Sequence, residues 1–357
     1  MRKQGFRFLE TALLFAKQTL YAEGMTATES ATSPTVRDVA RHAGVSVGTV
    51  SRTLNNQPGI AQATRERVLH AVHQLGYDLA NLRQGRLRRL SFLYHRQHNA
   101  LTSNLFYSHV LHGVEEACRL EKINLSFSSL GPDDALAELI GRQEAEGLVC
   151  VGFFEPQQLA AIAQLRVPAV LVDHWRPNFA CVNSDNFGGA YLATEHLIRQ
   201  GRGRVAFIGG PLTHYSIAQR QQGYRHALLS NGLPLDPNLE LPRDPIHSED
   251  EGTESAVRRL LALSPRPDAV FAFNDATALR AMRALQLAGL RVPQDIAVVG
   301  FDDVDAAASA LPPLSTVRVD KEELGRRGVE LLLSRQTEPN QVIVPVTFVP
   351  RASSGAR

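Results

Sequence analysis

Seven short apolar runs punctuate the chain from residue 90 onward: LSFLY (90–94), INLSF (123–127), GLVCVG (147–152), AVLVD (169–173), RVAFIGG (204–210), AVFAFND (269–275) and IAVVGFDD (296–303). Stretches with helical periodicity separate them, at 105–120, 187–200, 217–231, 252–263 and 276–288. A strand that is apolar in unbroken succession has to be covered on both faces. A helix after each strand supplies that cover, so the repeated pair predicts parallel sheets in an α/β architecture. Ligands of such sheets bind in the crevice at the carboxyl ends of the strands.

Polar residues collect at those ends. Asp173 closes AVLVD, Asn274 and Asp275 close AVFAFND, and Asp302 and Asp303 close IAVVGFDD. After RVAFIGG, the loop PLTHYSIAQR leads to Arg220. A carboxylate accepts hydroxyl protons and a guanidinium donates to ring or hydroxyl oxygens, so this set suits a polyol. One aspartate at a strand end can equally be a capping group; recurrence at several ends favours the ligand reading.

Residues 35–90 differ in character. GVSVG (44–48) has the G-x-S-x-G form of a hydrolase nucleophile elbow, which requires a strand before the serine. Upstream, however, Val36, Val39, Ala40 and Ala43 recur at helical spacing. Gly44 suits a helix end, and Ser46 stands where the N-cap of the next helix, VGTVSRTL, should be. NNQPG stops that helix, and TRERVLHAVHQLGY places Val68, Val72 and Leu75 on one face of a third. Two short helices across a tight turn, with a third packed on them, predict a helix-turn-helix domain. From Thr35 to Leu90 nine arginines face three carboxylates, a net of +6 within a chain of net +2. The first 34 residues carry +1, which leaves about −5 for the rest. A basic module on an acidic body is the distribution of a nucleic-acid reader with a second function.

TVRDVARHAGVSVGTVSRTLNN, with TRERVLHAVHQLGY after it, resembles the DNA-binding domain of the LacI/GalR family of bacterial repressors. The body resembles that family's periplasmic-binding-protein-like effector domain. VNSDNFGGAYLATEHLIRQGRGRVAFIGG is similar to its crossing into a second subdomain, and VVGFDD…PPLSTVRVD to its return. The resemblance implies an all-α helix-turn-helix DNA-binding domain joined by a short hinge to an α/β domain of two parallel-sheet subdomains. It implies base reading by Val47, Gly48 and Arg52, and phosphate contacts by Thr35, Ser46, Thr49, Ser51 and Asn55. It implies effector contacts by Arg220 and Asp275, by Asp173, by His214 and Ser216, and by the aromatic pair Phe106 and Tyr107; Asn274 and Asp302 join them from the strand ends. Where some members put an aromatic over the ligand, this chain has His247, and Trp175 offers another stacking surface. After Gly76-Tyr77 the hinge reads DLANLRQGRLRRL, about four residues short of the family pattern, which puts Leu82 where a minor-groove wedge falls.

The expected organisation is a leader over 1–34, with Met25 an alternative start, the DNA-binding domain over 35–80, a hinge over 81–90 and an effector and dimerisation domain over 91–357. The expected partners are double-stranded DNA with a near-palindromic site, a small effector such as a sugar or sugar phosphate, and a second copy of the chain, which lacks a leucine-heptad tail. A nucleoside or purine effector is the alternative, as is a sugar-binding protein of a transport system, which shares the body's fold. No phosphate-cradling motif, metal-spaced Cys/His cluster or strand-borne nucleophile is present in the sequence, so no enzyme activity, cofactor or metal is expected. Cys118, Cys150 and Cys181 lie apart in apolar segments and read as buried thiols in a cytoplasmic protein. No apolar run approaches the roughly 20 residues that span a bilayer.

Overall fold

The computed structural model describes residues 36–54, 59–75, 87–95, 106–131, 134–165, 167–242, 249–334 and 340–355. The leader, Met25, Thr35, Asn55, Leu82 and His247 lie outside these residues. The chain forms two compact units, dividing between Arg86 and Leu87.

In the first unit, α1 (Val36–Ala43), α2 (Val47–Leu54) and α3 (Gln62–Gln74) enclose a small core of Val39, Ala40, Ala43, Val50, Val68, Ala71 and Val72. Val45, Leu54 and Leu75 pack against it. The turn between α1 and α2 is fixed by chemistry at each residue. Gly44 takes φ 64°, which costs a glycine little, and the Val45 amide then reaches back to the Ala40 carbonyl at 3.0 Å. Ser46 Oγ accepts from the Thr49 amide at 3.1 Å, satisfying a donor that a helix start leaves open. Ser46 is a cap, and the elbow motif is accounted for without a nucleophile.

The second unit begins with β1 (Arg89–His95), α4 (Phe106–Leu120), β2 (Asn124–Leu130), α5 (Leu136–Gln143), β3 (Gly147–Val151), α6 (Pro156–Gln164), β4 (Ala169–Val172) and β5 (Ala180–Ser184). It continues through α7 (Asn186–Arg199), β6 (Val205–Gly209), α8 (Tyr215–Ser230), β7 (Glu240–Pro242), α9 (Glu249–Leu261), β8 (Ala269–Ala272), α10 (Asp275–Leu287) and β9 (Ala297–Val299). It ends with α11 (Asp305–Ser309), β10 (Thr316–Val319), α12 (Lys321–Ser334), β11 (Gln341–Val344) and β12 (Val346–Val349).

Two parallel sheets result, ordered β11-β5-β4-β3-β1-β2 and β7-β6-β8-β9, with β10 and β12 pairing antiparallel. The sheets define a first and a second lobe. The expected two-faced burial is met residue by residue. In β3, Val149 and Val151 enter one core cluster while Leu148 and Cys150 enter another. In β6, Val205 and Phe207 point one way and Ala206 and Ile208 the other. The chain leaves the first sheet at Ser184, since α7 packs along α8, and re-enters the first lobe with α12, which packs along α4.

Some elements have no counterpart among the seven runs. Strand β5, ACVNS, carries Asn183 and Ser184 and so lacks an apolar signature; Asn183 is nonetheless buried, its amide donating to the His174 carbonyl at 3.0 Å. Strand β2 runs on to Leu130 beyond the expected 127, because buried Ser128 pairs with Ser91 across the sheet. Helices α5, α6 and α12 are likewise additional.

Candidate functional site: a helix face and a polar cluster between lobes

Helix α2 presents Val47 and Gly48 at its start and Arg52 in its last turn to solvent, with Val47 46% exposed. Arg52 Nε lies 3.4 Å from the Gly48 carbonyl, so the guanidinium folds along the helix's outer face. Ser46 and Thr49 share a hydroxyl contact of 2.8 Å at the same end. An exposed apolar residue and a glycine on the leading turn, with an arginine from the last turn beside them, form a surface that can approach a groove closely.

The polar cluster of the second unit centres on Arg220, which is 4% exposed. Its Nε donates to Asn186 Oδ1 at 2.8 Å and its Nη1 to the Phe273 carbonyl at 2.6 Å. Nη2 lies 3.2 Å from Asp302 Oδ1, and Cζ sits 3.7 Å above the Phe301 ring. A guanidinium engaged on every nitrogen has little rotational freedom left, so its position is set before any ligand arrives.

The strand-end carboxylates divide into three environments. Asp173, at φ 58° beyond β4, accepts from the Tyr107 hydroxyl at 2.9 Å, and Ser216 of the other lobe helps to hold its acid down. Burial pushes its acid up to about 6 against the pull of Arg220 and Tyr107. The Tyr107 hydroxyl is in turn raised by burial and by Asp173. Asp302, at φ 110°, is raised by burial while Arg220 and Lys321 oppose the rise. Lys321 Nζ donates to the Asp302 and Asp303 carbonyls and so holds this left-handed turn. Asp303 turns away from Arg220 to Arg318 and Arg351, each at 2.6 Å, and these hold its acid low despite partial burial.

Asp275 is placed differently from the sequence expectation. It is fully buried, and both carboxylate oxygens are taken by the fold: Thr316 Oγ1 donates at 2.6 Å and the Val304 amide at 2.9 Å. A Cβ at Gly300 would collide with this carboxylate, so the chain just after β9 can pass only as glycine. Burial, then Asp302, pushes the Asp275 acid up to about 8. Asn274 is the N-cap of α10, accepting from the Thr277 amide at 2.9 Å. Both residues hold α10 in place, and Asp302 is the carboxylate that faces Arg220.

Asp275 therefore predicts a pH dependence. A carboxyl raised in the fold binds more protons folded than unfolded between its two values, so its contribution falls as pH rises from about 4 to about 8. Asparagine can keep both contacts, accepting from Val304 and donating to Thr316. The melting temperature of the parent minus that of Asp275→Asn is expected to fall across this window; a constant difference would contradict the assignment.

His214 precedes α8 and stacks on Phe153, while Trp175 stacks on Tyr215. Phe106 meets Tyr107 edge-on at 5.2 Å, and both are buried. Sequence reading missed Asn186, Phe301, Phe153, Thr316 and Lys321. Asn186 and Phe301 stand inside quoted motifs, but nothing in their spacing marks them as partners of Arg220. Ser51 lies within α2. No group of three metal-ligating side chains occurs among the described residues. Nor does any described helix have the length and apolarity to cross a membrane.

Residues 35–78 match the family described as bacterial regulatory proteins, lacI family, and residues 194–354 match the periplasmic binding protein-like domain. The ribose operon repressor of Escherichia coli (strain K12) is 33% identical over 318 residues, covering 85% of this chain and 94% of that protein. A solved complex of the transcriptional regulator CelR with cellobiose is 32% identical, with a TM-score of 0.68, covering 90% of this chain and 99% of that one. The lac repressor dimer bound to operator and the anti-inducer ONPF is 26% identical, with a TM-score of 0.65, covering 91% of this chain and 100% of that one.

Proposed function

We propose a function for this chain on one premise: it belongs to the LacI family of bacterial regulatory proteins. It is a DNA-binding transcriptional regulator and not an enzyme. In our reading it represses genes of carbohydrate metabolism in the cytoplasm, as a dimer on a near-palindromic operator, and a sugar or sugar phosphate releases it. A two-fold dimer presents two copies of α2 related by symmetry, which is why the site repeats in inverted form. Residues 35–80 read DNA, 81–90 link and 91–357 bind effector.

The single observation that carries the effector reading is the Arg220–Asp302 pair, fixed at 3.2 Å among Asn186, Asp173, Tyr107 and Ser216. These groups offer donors and acceptors close together in a low-dielectric site, the requirement for recognising several hydroxyls at once. Phe106 and Phe301 supply apolar faces beside them. The similarity to a ribose operon repressor and to a cellobiose-bound regulator supports a sugar. A ligand at 100 times its dissociation constant stabilises the folded state by about 2.7 kcal/mol. Thermal-shift measurements on the full chain should therefore show a rise with a sugar or sugar phosphate. A rise with nucleosides alone would overturn the sugar assignment.

A further inference from the structure

We propose that Phe153 and Trp175 of the first lobe and His214 and Tyr215 of the second form an aromatic clasp that must part for an effector to enter or leave. The inference rests on the Asp173–Ser216–Arg220 cluster being the effector site.

Three separate segments of the first lobe grip one turn of the second. Phe153 follows β3, and its ring stacks on His214 at 4.4 Å and 15°. Trp175 follows β4 and stacks on Tyr215 at 6.1 Å and 24°. Gln341, at the start of edge strand β11, donates to the Tyr215 hydroxyl at 2.9 Å. Asp173, two residues before Trp175, has its acid lowered in part by Ser216, the residue after Tyr215. The aromatic contacts therefore flank the place where Asp173 of the first lobe and Ser216 of the second come together. Stacked rings in this range attract beyond the area they bury, so the four side chains favour the joined arrangement.

A second feature opposes it. His174, between the two clasp segments, is 2% exposed, and neither ring nitrogen has a hydrogen-bond partner. Its ring lies edge-on to Phe153 at 5.6 Å. An imidazole buried without partners is costly, and moving Phe153 aside would let water reach it. Stacking that closes the clasp and a desolvated histidine that resists closure give a contact poised between two states. Effector exchange then depends on how often the clasp parts, and not on diffusion to the cluster alone.

Trp175 is the only tryptophan of the chain, so its fluorescence reads the clasp directly. The experiment is acrylamide quenching of the full-length, effector-free protein. Phe153→Ala and His214→Ala remove the stack that does not include Trp175. Each is expected to raise the quenching constant at least about twofold, because parting one pair frees the other. His226→Ala, whose ring contacts Phe187 and Tyr191 within the second lobe, should stay at the parent value. An unchanged constant in both Phe153→Ala and His214→Ala, with native circular dichroism, overturns the clasp. Should either variant fail to fold, the other, together with Gln341→Ala, decides the question in the same way. The measurement contains no effector, so failure of the sugar reading appears separately, as an absent thermal shift.

Discussion

Arg220→Ala is expected to destabilise the second unit by about 3–5 kcal/mol and to abolish effector binding, while the first unit keeps its fold. The size follows from what the guanidinium holds together. Its removal takes the guanidinium partner from Asn186 Oδ1 and the Asp302 carboxylate at once, both in a buried setting. Each acceptor left unpaired costs about 1–3 kcal/mol, and an unpaired buried charge costs more. Asp302 is already raised by burial, so in the variant it takes up a proton more readily. The loss should thus be smaller in acid and larger toward neutral pH. Lysine is no substitute, because one ammonium on a flexible stem cannot span three acceptors in one plane and stack on Phe301. Calorimetric melting of the variant at two pH values checks the claim. An unchanged melting temperature and an intact effector response would show that Arg220 is neither structural nor part of the site.

The second large effect concerns DNA. The module from Thr35 to Leu90 carries +6, and two copies on one site displace condensed counterions from the phosphates. For a protein making about 6–10 phosphate contacts, affinity falls by roughly 10³–10⁵ between 50 and 200 mM salt. Arg52→Ala should act differently. Val47 and Gly48 offer no side-chain hydrogen bond, so discrimination by α2 is expected to rest on Arg52 in its last turn, whose fork matches the two acceptors of guanine. Its loss should cost about 1–3 kcal/mol, relax preference at one base pair per half-site and leave the salt slope nearly unchanged. A uniform weakening on all sequences, with a slope smaller by about one, would make Arg52 a phosphate contact instead.

What the sequence disclosed and what it withheld have physical reasons. Helical spacing of Val39, Ala40 and Ala43 exposed α1, and Gly44 and Ser46 exposed the turn, because those constraints are local and each residue meets its own. Parallel sheets were legible because strands covered on both faces leave unbroken apolar runs. Strand β5 was not, since its buried Asn183 is satisfied by a carbonyl nine residues away, which no pattern displays. The same limit governs the site. Arg220 and Asp302 stand out as a lone arginine and a strand-end carboxylate, but the fate of Asp275 depends on Thr316, 41 residues on, and on how closely Gly300 lets the chain pass. Phe153 and His214 lie in different lobes, so neither spacing nor composition relates them. Of the residues proposed to face DNA, Ser46 declared its capping role by its position, whereas the roles of Val47, Gly48 and Arg52 came from family position and stay proposals.

The most direct test of the account is selection of binding sites from random duplex DNA by the full-length protein, repeated with Arg52→Ala. The parent is expected to enrich one inverted repeat with two equal half-sites, and the variant the same repeat with one position per half-site degenerate. Enrichment of no common sequence by the parent, or of a site without two-fold symmetry, would contradict it.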